Sequence, residues 1–419
     1  MNPTAPNRYV VAVAAVVLQI GMGSLQAWSV FRDPLSMELG RTIAEVTWAY
    51  TITLLAAGVS VFFGGLALAR WGSRRIAIAA ALCNGLGLSL GGLAAEPLWL
   101  FYLTFGLIGG IGRGLGYLVP VALLIAWFPE RRGLMAGVGV VGWGIAALVT
   151  APAATILIPA LGALHTLTVL GVVSLGLTVT AAVWLQSPPD RSSTVIQGAQ
   201  SGDRGSQVPA YDLGAATGTW QWYALTAVFV VHLAAGFALL AHAAPLAQER
   251  TGMAAVAAGR LVGLIGLADV VGRLGWPWLS DSLGRRPVLG LVLAAETAAF
   301  AGLALGPGQV AFALLTWLAI ACLGGGLALL GAIVADYFGS RHVGAVAGAM
   351  ASIATSGAGL GSLLLAYVRE TSGSYEPGLW LVAGALVAAG ALLVTTSAPK
   401  QTHRPVEPLA TPAARAGVL

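Results

Sequence analysis

Twelve stretches of this chain are long and apolar enough to cross a bilayer, and a chain of that kind has few folds open to it. They fall at roughly 9–31, 46–69, 75–94, 98–127, 134–158 and 165–186, then at 221–245, 256–280, 287–306, 309–337, 344–367 and 378–397. About 20 apolar residues in a helix span the hydrocarbon core. Lipid offers the backbone no hydrogen-bond partners, and these runs lack strand-like alternation, so helices are expected rather than a β-barrel. With 58% hydrophobic and 9% charged residues over 419 positions, no soluble domain could hide so much apolar surface. The fold class is therefore an all-α membrane protein, with twelve transmembrane helices in two six-helix bundles. The first bundle takes residues 1–186. A polar, Gly- and Ser-rich segment at 187–219 is a cytoplasmic linker, the second bundle takes 220–397, and 398–419 is a cytoplasmic tail.

The cations set an orientation. The 21 Lys and Arg residues include a single lysine, Lys400. With the N-terminus inside, the cytoplasmic side receives Arg8, Arg70, Arg74, Arg75, Arg131, Arg132, Arg191, Arg204, Arg285, Arg286, Arg341, Lys400, Arg404 and Arg415. The outer side receives only Arg32, Arg41, Arg250 and Arg369. The positive-inside rule then predicts a multi-pass protein of the bacterial inner membrane with both termini in the cytoplasm. It also accounts for the net charge of +5 without a nucleic-acid partner. The N-terminal MNPTAPNRY runs into the first span with no small-residue cleavage site, so that span is expected to be retained. Cys83 and Cys322 sit far apart in apolar segments and read as small packing residues.

The two halves repeat each other at an offset of about 210 residues. The turn after span 2 reads RWGSRR (70–75) and the turn after span 8 reads SDSLGRR (280–286). Span 4 ends in LLIAWFPERRGLMAG (123–137) and span 10 in AIVADYFGSRHVGAVAG (332–348). Gly23 and Pro34 in span 1 match Gly236 and Pro245 in span 7. Duplication of a six-helix unit is the mark of an alternating-access carrier with its substrate at the midplane, between the halves.

On these residues the chain resembles the major facilitator superfamily over nearly its whole length. The turn after span 2 is similar to that family's G-x-x-x-D-R-x-G-R-R motif, with Gly65, Arg70, Gly72, Arg74 and Arg75 in place and Ala69 where the acid belongs. The second half keeps Asp281. Within the superfamily, Gly109–Gly142 resembles the monocarboxylate transporters and the oxalate:formate antiporter group. The likeness rests on Gly110, Gly112, Gly114, Tyr117, Pro120, Trp127–Phe128, Arg131–Arg132 and Ala136–Gly137. The family's Asp-x-x-x-Arg of span 8 falls on Asp269 and Arg273, and Asp336–Gly348 is similar to its segment between spans 10 and 11. Two departures stand out. The lysine that animal monocarboxylate transporters carry in span 1 has no counterpart near Val30. The span 11 lysine of the oxalate carriers has none in 343–367, which argues against a dianion.

The chemistry centres on Leu261–Arg286, where Asp269 and Arg273 lie at membrane depth. Ionisable residues there are costly and mark function by default. At i and i+4, acid first, they share one helix face in the favourable order. A guanidinium keeps its charge when buried and can hold a carboxylate through a two-pronged fork. An ionised Asp269 would occupy that fork; protonation would release it to a substrate carboxylate, loading proton and anion together. A structural ion pair that fixes helix packing is the competing reading. Arg113, one turn before Tyr117, fits either an outer cavity wall that attracts anions or a bond to a neighbouring helix; were it to reach the site, a dicarboxylate would again be feasible. Tyr117 is a candidate donor to substrate, and Trp28 a candidate apolar wall that could equally be packing. Arg260 is placed to snorkel, Glu296 reads as peripheral and structural, and His232 and His242 read as packing donors. Glycine-rich faces such as Cys322–Ala332 suggest close helix contacts, and room at the site for more than formate or acetate.

The expectation is a secondary transporter of small monocarboxylates such as lactate or pyruvate, a proton symporter working by alternating access. Arg273, Tyr117, Trp28 and Arg113 would bind substrate and Asp269 would couple the proton. Arg70, Gly72, Arg74, Asp281, Arg285 and Arg131 would gate. Carboxylate exchange is the rival within transport and a non-transporting carboxylate sensor the rival outside it. No metal-ligand cluster or nucleophile–base constellation suggests an enzyme, and no cofactor is expected. By the resemblance the protein is a monomer in the bilayer.

Overall fold

The computed structural model of the chain describes residues 7–93, 97–188, 211–339 and 342–399. All twelve expected spans are helices: α1 (Arg8–Leu39), α2 (Ile43–Trp71), α3 (Ser73–Leu93), α4 (Leu98–Trp127), α5 (Arg132–Leu161) and α6 (Ala163–Trp184) form the first half. The second is α7 (Trp220–Thr251), α8 (Ala255–Leu283), α9 (Arg285–Ala304), α10 (Gln309–Phe338), α11 (Val343–Ser372) and α12 (Glu376–Thr395). Both halves begin and end at the same face, here the terminal end; the opposite face is the distal end. Large apolar side chains such as Ile156, Leu314, Trp278 and Val394 are exposed around the bundle. In water they would be a liability, whereas in lipid they are solvated.

Two helices outrun their hydropathy. The first apolar run stops at Phe31, yet α1 continues through Arg32, Asp33 and Pro34 to Leu39, and α7 runs to Thr251 rather than to 245. Arg32, Leu35 and Leu39 are buried against other helices. Polar residues end an apolar run only where lipid would be their neighbour, and here protein is.

Two helices are irregular at depth. In α1 a 3-10 stretch, Gly23–Ala27, interrupts the α-helix, and α4 carries a π-helical stretch at Tyr102–Ile108. The tight turns repeat between halves: Gly72 between α2 and α3 has φ 78° and ψ 161°, and Gly284 between α8 and α9 has φ 87° and ψ 150°. Residues with a Cβ avoid that region, so the motif glycine at 72 is required by its turn.

Two seams join the halves. At α2–α11, Thr51 Oγ1 donates to Gly359 O at 3.0 Å and Ser352 Oγ donates to Gly58 O at 2.7 Å. At α5–α8, a Cβ on either Gly144 or Gly266 would stand 2.3 Å from the other's carbonyl oxygen. Small residues let backbones approach this closely in a membrane, where burial of apolar surface supplies no driving force between helices. Among the described residues, every hydrogen bond between the halves lies from the distal end to the middle of the bundle. The structure is closed at its distal end.

The linker expected at 187–219 falls largely outside the described residues, as does the tail beyond 399, and with them Arg191, Arg204, Lys400, Arg404 and Arg415; Arg341 is outside them too. The described end of the linker forms a short helix, Leu213–Thr217, capped by Asp212.

Candidate functional site

Asp269 and Arg273 occupy successive turns of α8, and Arg273 Nε donates to Asp269 Oδ2 at 2.9 Å. The two side chains are 3% and 8% exposed, so the pair is withdrawn from solvent and lipid alike. What encloses it is α10. A Cβ on Gly324 would stand 2.4 Å from the Asp269 carbonyl oxygen and 2.6 Å from its Oδ1, so glycine is what admits the acid. Asp269 Oδ1 has no hydrogen-bond partner among the described residues.

Arg273 also reaches across the molecule. Its Nη1 donates to the Tyr117 hydroxyl of α4 at 3.5 Å, the outer limit of a hydrogen bond, so one guanidinium touches both halves. Tyr117 is positioned by Trp143 and Gln19, which no motif in the sequence singles out. The ring of Trp143 on α5 stands edge-on to it at 5.9 Å. Gln19 Nε2 on α1 donates to the Tyr117 carbonyl at 3.3 Å and to Gly139 O at 2.8 Å, while the Trp143 indole N–H donates to Gln19 Oε1. The available signal was Gln19 itself, an amide inside an apolar run.

The other two candidates do not join this cluster. Trp28 and Arg113 line a separate void inside the first half, with Ser24, Phe105, Thr150 and Leu167. Trp28 stacks on Tyr50 at 5.6 Å and packs on Phe105 at 5.1 Å. Arg113 lies over the Phe105 ring at 5.1 Å.

The room expected along α10 is taken. The Asp269 side chain fills the space beside Gly324, the Trp276 ring that beside Gly325, and the His232 ring that beside Gly326. These glycines admit large neighbours from α7 and α8 and leave no free volume, because a missing side chain in a packed interior is filled by the next helix.

At the terminal end, Arg70, Arg74, Arg131 and Asp281 are exposed, and Gly72 forms its turn. Arg285 donates to Asp336 Oδ1 at 2.5 Å and to Ala332 O at 3.3 Å, both within the second half. Arg260 is exposed near the distal end of α8.

The distal closure is polar. Arg32 of α1, 1% exposed, donates through Nη1 to His242 Nδ1 on α7 and to the Tyr375 hydroxyl before α12. Its Nε and Nη2 donate to Asp33 Oδ1 at 2.7 and 2.5 Å. His242 Nε2 donates to Ser362 O on α11 at 2.9 Å, and the Ala44 amide donates to Glu370 at 2.7 Å. Nothing in the sequence beyond Arg32's charge marked this contact.

Glu296 is not peripheral. It is fully buried on α9, with Oε2 2.6 Å from His232 Nδ1 on α7, and both side chains are 0% exposed. Glu296 faces inward, where α9 packs against α10 and α12, and the His232 side chain of α7 reaches it there.

The family model described as Major Facilitator Superfamily matches residues 11–330 and 225–418. An Escherichia coli K12 protein described as the uncharacterized MFS-type transporter YhjX is 25% identical over 342 residues, 80% of this chain and 82% of that protein. Human monocarboxylate transporter 11 is 27% identical over 275 residues, 65% of this chain but 56% of that protein. The oxalate:formate antiporter of Oxalobacter formigenes is 26% identical over 381 residues, 85% of each.

Proposed function

The chain belongs to the Major Facilitator Superfamily of transporters, and from that premise we propose that it carries a small monocarboxylate, of lactate or pyruvate size, together with a proton. The observation that carries this reading is the Arg273 guanidinium, which bonds Asp269 on its own helix and reaches Tyr117 in the other half. A carrier needs a group that senses both halves, and a monocarboxylate needs one buried cation.

The charge count supports symport. Ionised Asp269 and Arg273 together are neutral. When a proton binds Asp269, the carboxyl no longer neutralises Arg273, and the substrate carboxylate takes over the Nε–H and the Tyr117 hydroxyl. The loaded site holds a neutral acid, a cation and an anion, so it is again neutral. Either fully loaded or fully empty, the site crosses the membrane without net charge; half-loaded states leave a buried charge, which is costly. The names of the monocarboxylate transporter and of the oxalate:formate antiporter support a carboxylate substrate, and the missing lysine of span 11 favours one carboxylate over two.

We place the protein in a bacterial inner membrane with its termini in the cytoplasm, on the arginine distribution. The distal end is then the outer gate. In the alternate state, Arg70, Arg74 and Arg131, with the Gly72 turn, would meet Asp281 and Arg285 across the cytoplasmic end. The two halves, 1–186 and 220–397, would rock as monomeric units about the bound substrate.

Uptake of labelled lactate and pyruvate into proteoliposomes tests the reading, with an inward proton gradient or with preloaded substrate, for wild type, Asp269→Asn and Arg273→Gln. Gradient-driven accumulation lost in both variants is the expected outcome. Uptake that ignores the gradient but requires internal substrate would make the protein an exchanger and remove the proton from Asp269. Substrate binding without flux would leave a sensor.

A further inference from the structure

The void at Arg113 is chemically distinct from the Asp269–Arg273 pair, and three observations there point the same way. First, Arg113 is 1% exposed, and none of its three nitrogens, Nε, Nη1 and Nη2, has a hydrogen-bond partner among the described residues. Second, no described carboxylate of the first half serves as its counter-ion. Asp33 holds Arg32, Glu38 accepts from the Ala163 amide, Glu45 caps α2 and Glu130 holds Arg8. Third, the void is also lined by Ser24 and Trp28, whose hydroxyl and indole N–H are likewise buried without partners.

A bare guanidinium out of water is among the most expensive groups a protein can bury, so a permanent charge in this place implies a permanent partner. The polar groups left unpaired are a guanidinium, an indole N–H and a hydroxyl. Two of these can only donate, and the third donates as readily as it accepts. Such a set repels cations and suits an anion. Size narrows the choice: the void has room for a single small ion or water and not for an organic acid. Lactate does not fit.

The local backbone is shaped to this point. Ser24 lies in the 3-10 stretch of α1, with Trp28 immediately after it, and Phe105, which the Arg113 guanidinium overlies, lies in the π-helical stretch of α4. Both departures from regular helix meet at Arg113, and such departures gather at functional sites.

We infer that the first half holds a bound inorganic anion of chloride size, coordinated by Arg113, Ser24 Oγ and Trp28 Nε1. It neutralises the Arg113 charge and is separate from the substrate carboxylate. Because every residue lining the void belongs to the first half, the ion travels with that half as a rigid part of it.

The test is thermal unfolding of the purified protein in detergent, with sodium chloride or bromide titrated against sodium gluconate at constant ionic strength. Wild type is expected to be stabilised saturably by either halide. Ser24→Ala and Trp28→Phe remove one donor each, the second also leaving a small cavity beside Tyr50, and each should weaken the apparent halide affinity by about tenfold, the worth of a hydrogen bond to a charged group. Arg113→Met should abolish the halide effect; should that variant not fold, the other two still decide. No saturable halide effect in wild type would overturn the inference, as would equal halide affinity in wild type, Trp28→Phe and Ser24→Ala. Stabilisation by formate but not by halide would overturn the assignment of a spherical ion.

Discussion

Arg32 in the first half and His242 in the second meet through a guanidinium N–H directed at Nδ1, in a contact buried from solvent at the distal closure. The geometry fixes the tautomer. Nε2 faces the Ser362 carbonyl and so carries the proton, leaving Nδ1 as the acceptor for Arg32. The groups around His242 are Arg32 from α1, the Tyr375 hydroxyl before α12 at 3.1 Å and the Ser362 carbonyl of α11. Beyond them stand Asp33 beside Arg32, Glu249 at the Tyr375 amide and Arg369 over the Tyr375 ring.

The acceptor at Nδ1 is expected to hold the distal end closed. Spin labels at Met37 and Leu305, both exposed at the distal end on opposite halves, with Cys83 and Cys322 replaced, report the separation. The distance should lengthen in His242→Leu, which leaves Arg32 without that acceptor, and should stay near the wild-type value in His242→Gln, whose amide oxygen can still accept from Arg32. Equal distances in the two variants would rule out this contact as the latch.

Gly324 should be intolerant of a single methyl. A Cβ there overlaps the Asp269 carbonyl and carboxylate, neither of which is free to move away from α8's own hydrogen bonds. Gly324→Ala is expected to cost about 1–3 kcal/mol, typical of overpacking, and to abolish uptake. Gly275→Ala on α8 meets nothing within 4 Å and should be neutral, or stabilise by about 0.5–1 kcal/mol through helix propensity. Unfolding in detergent with matched uptake assays compares them, and equal behaviour of the two variants would contradict the packing argument.

Tyr117→Phe removes the hydroxyl within reach of Arg273 while keeping the ring against Trp143. If the hydroxyl donates to substrate, KM for uptake rises by about tenfold with little change in stability. Gln19→Leu releases Tyr117 and Trp143 from one shared amide. It should raise KM as well, but rescue by Gln19→Asn would be incomplete because the shorter side chain cannot span both partners. An unchanged KM in Tyr117→Phe would remove Tyr117 from the binding site.

The His232–Glu296 pair invites a double-mutant cycle. Both side chains are wholly buried, and Glu296 Oε1 and His232 Nε2 have no partners among the described residues. Removing one member, as in Glu296→Leu, strands the other and should cost about 3–5 kcal/mol. Removing both, His232→Phe with Glu296→Leu, should cost less than the sum of the single variants. Additive losses in thermal unfolding would show that the two residues do not act as a pair.

The sequence by itself determined the twelve helices, their repeat, the glycine at 72 and the pairing of Asp269 with Arg273. Each of these is local. Hydropathy marks a span, a positive φ demands glycine, and four residues along a helix bring two side chains together whatever else the chain does. Tertiary structure alone decided that Arg32 closes the distal end on His242, that Arg113 and Trp28 lie in a void apart from Arg273, and that α10's glycines receive Asp269, Trp276 and His232 instead of leaving space. Those outcomes depend on how each helix is rotated and which neighbour it faces. In a chain this apolar, sides turned toward lipid and sides turned toward protein carry much the same residues, so hydropathy does not record the rotation; close packing across the interfaces does.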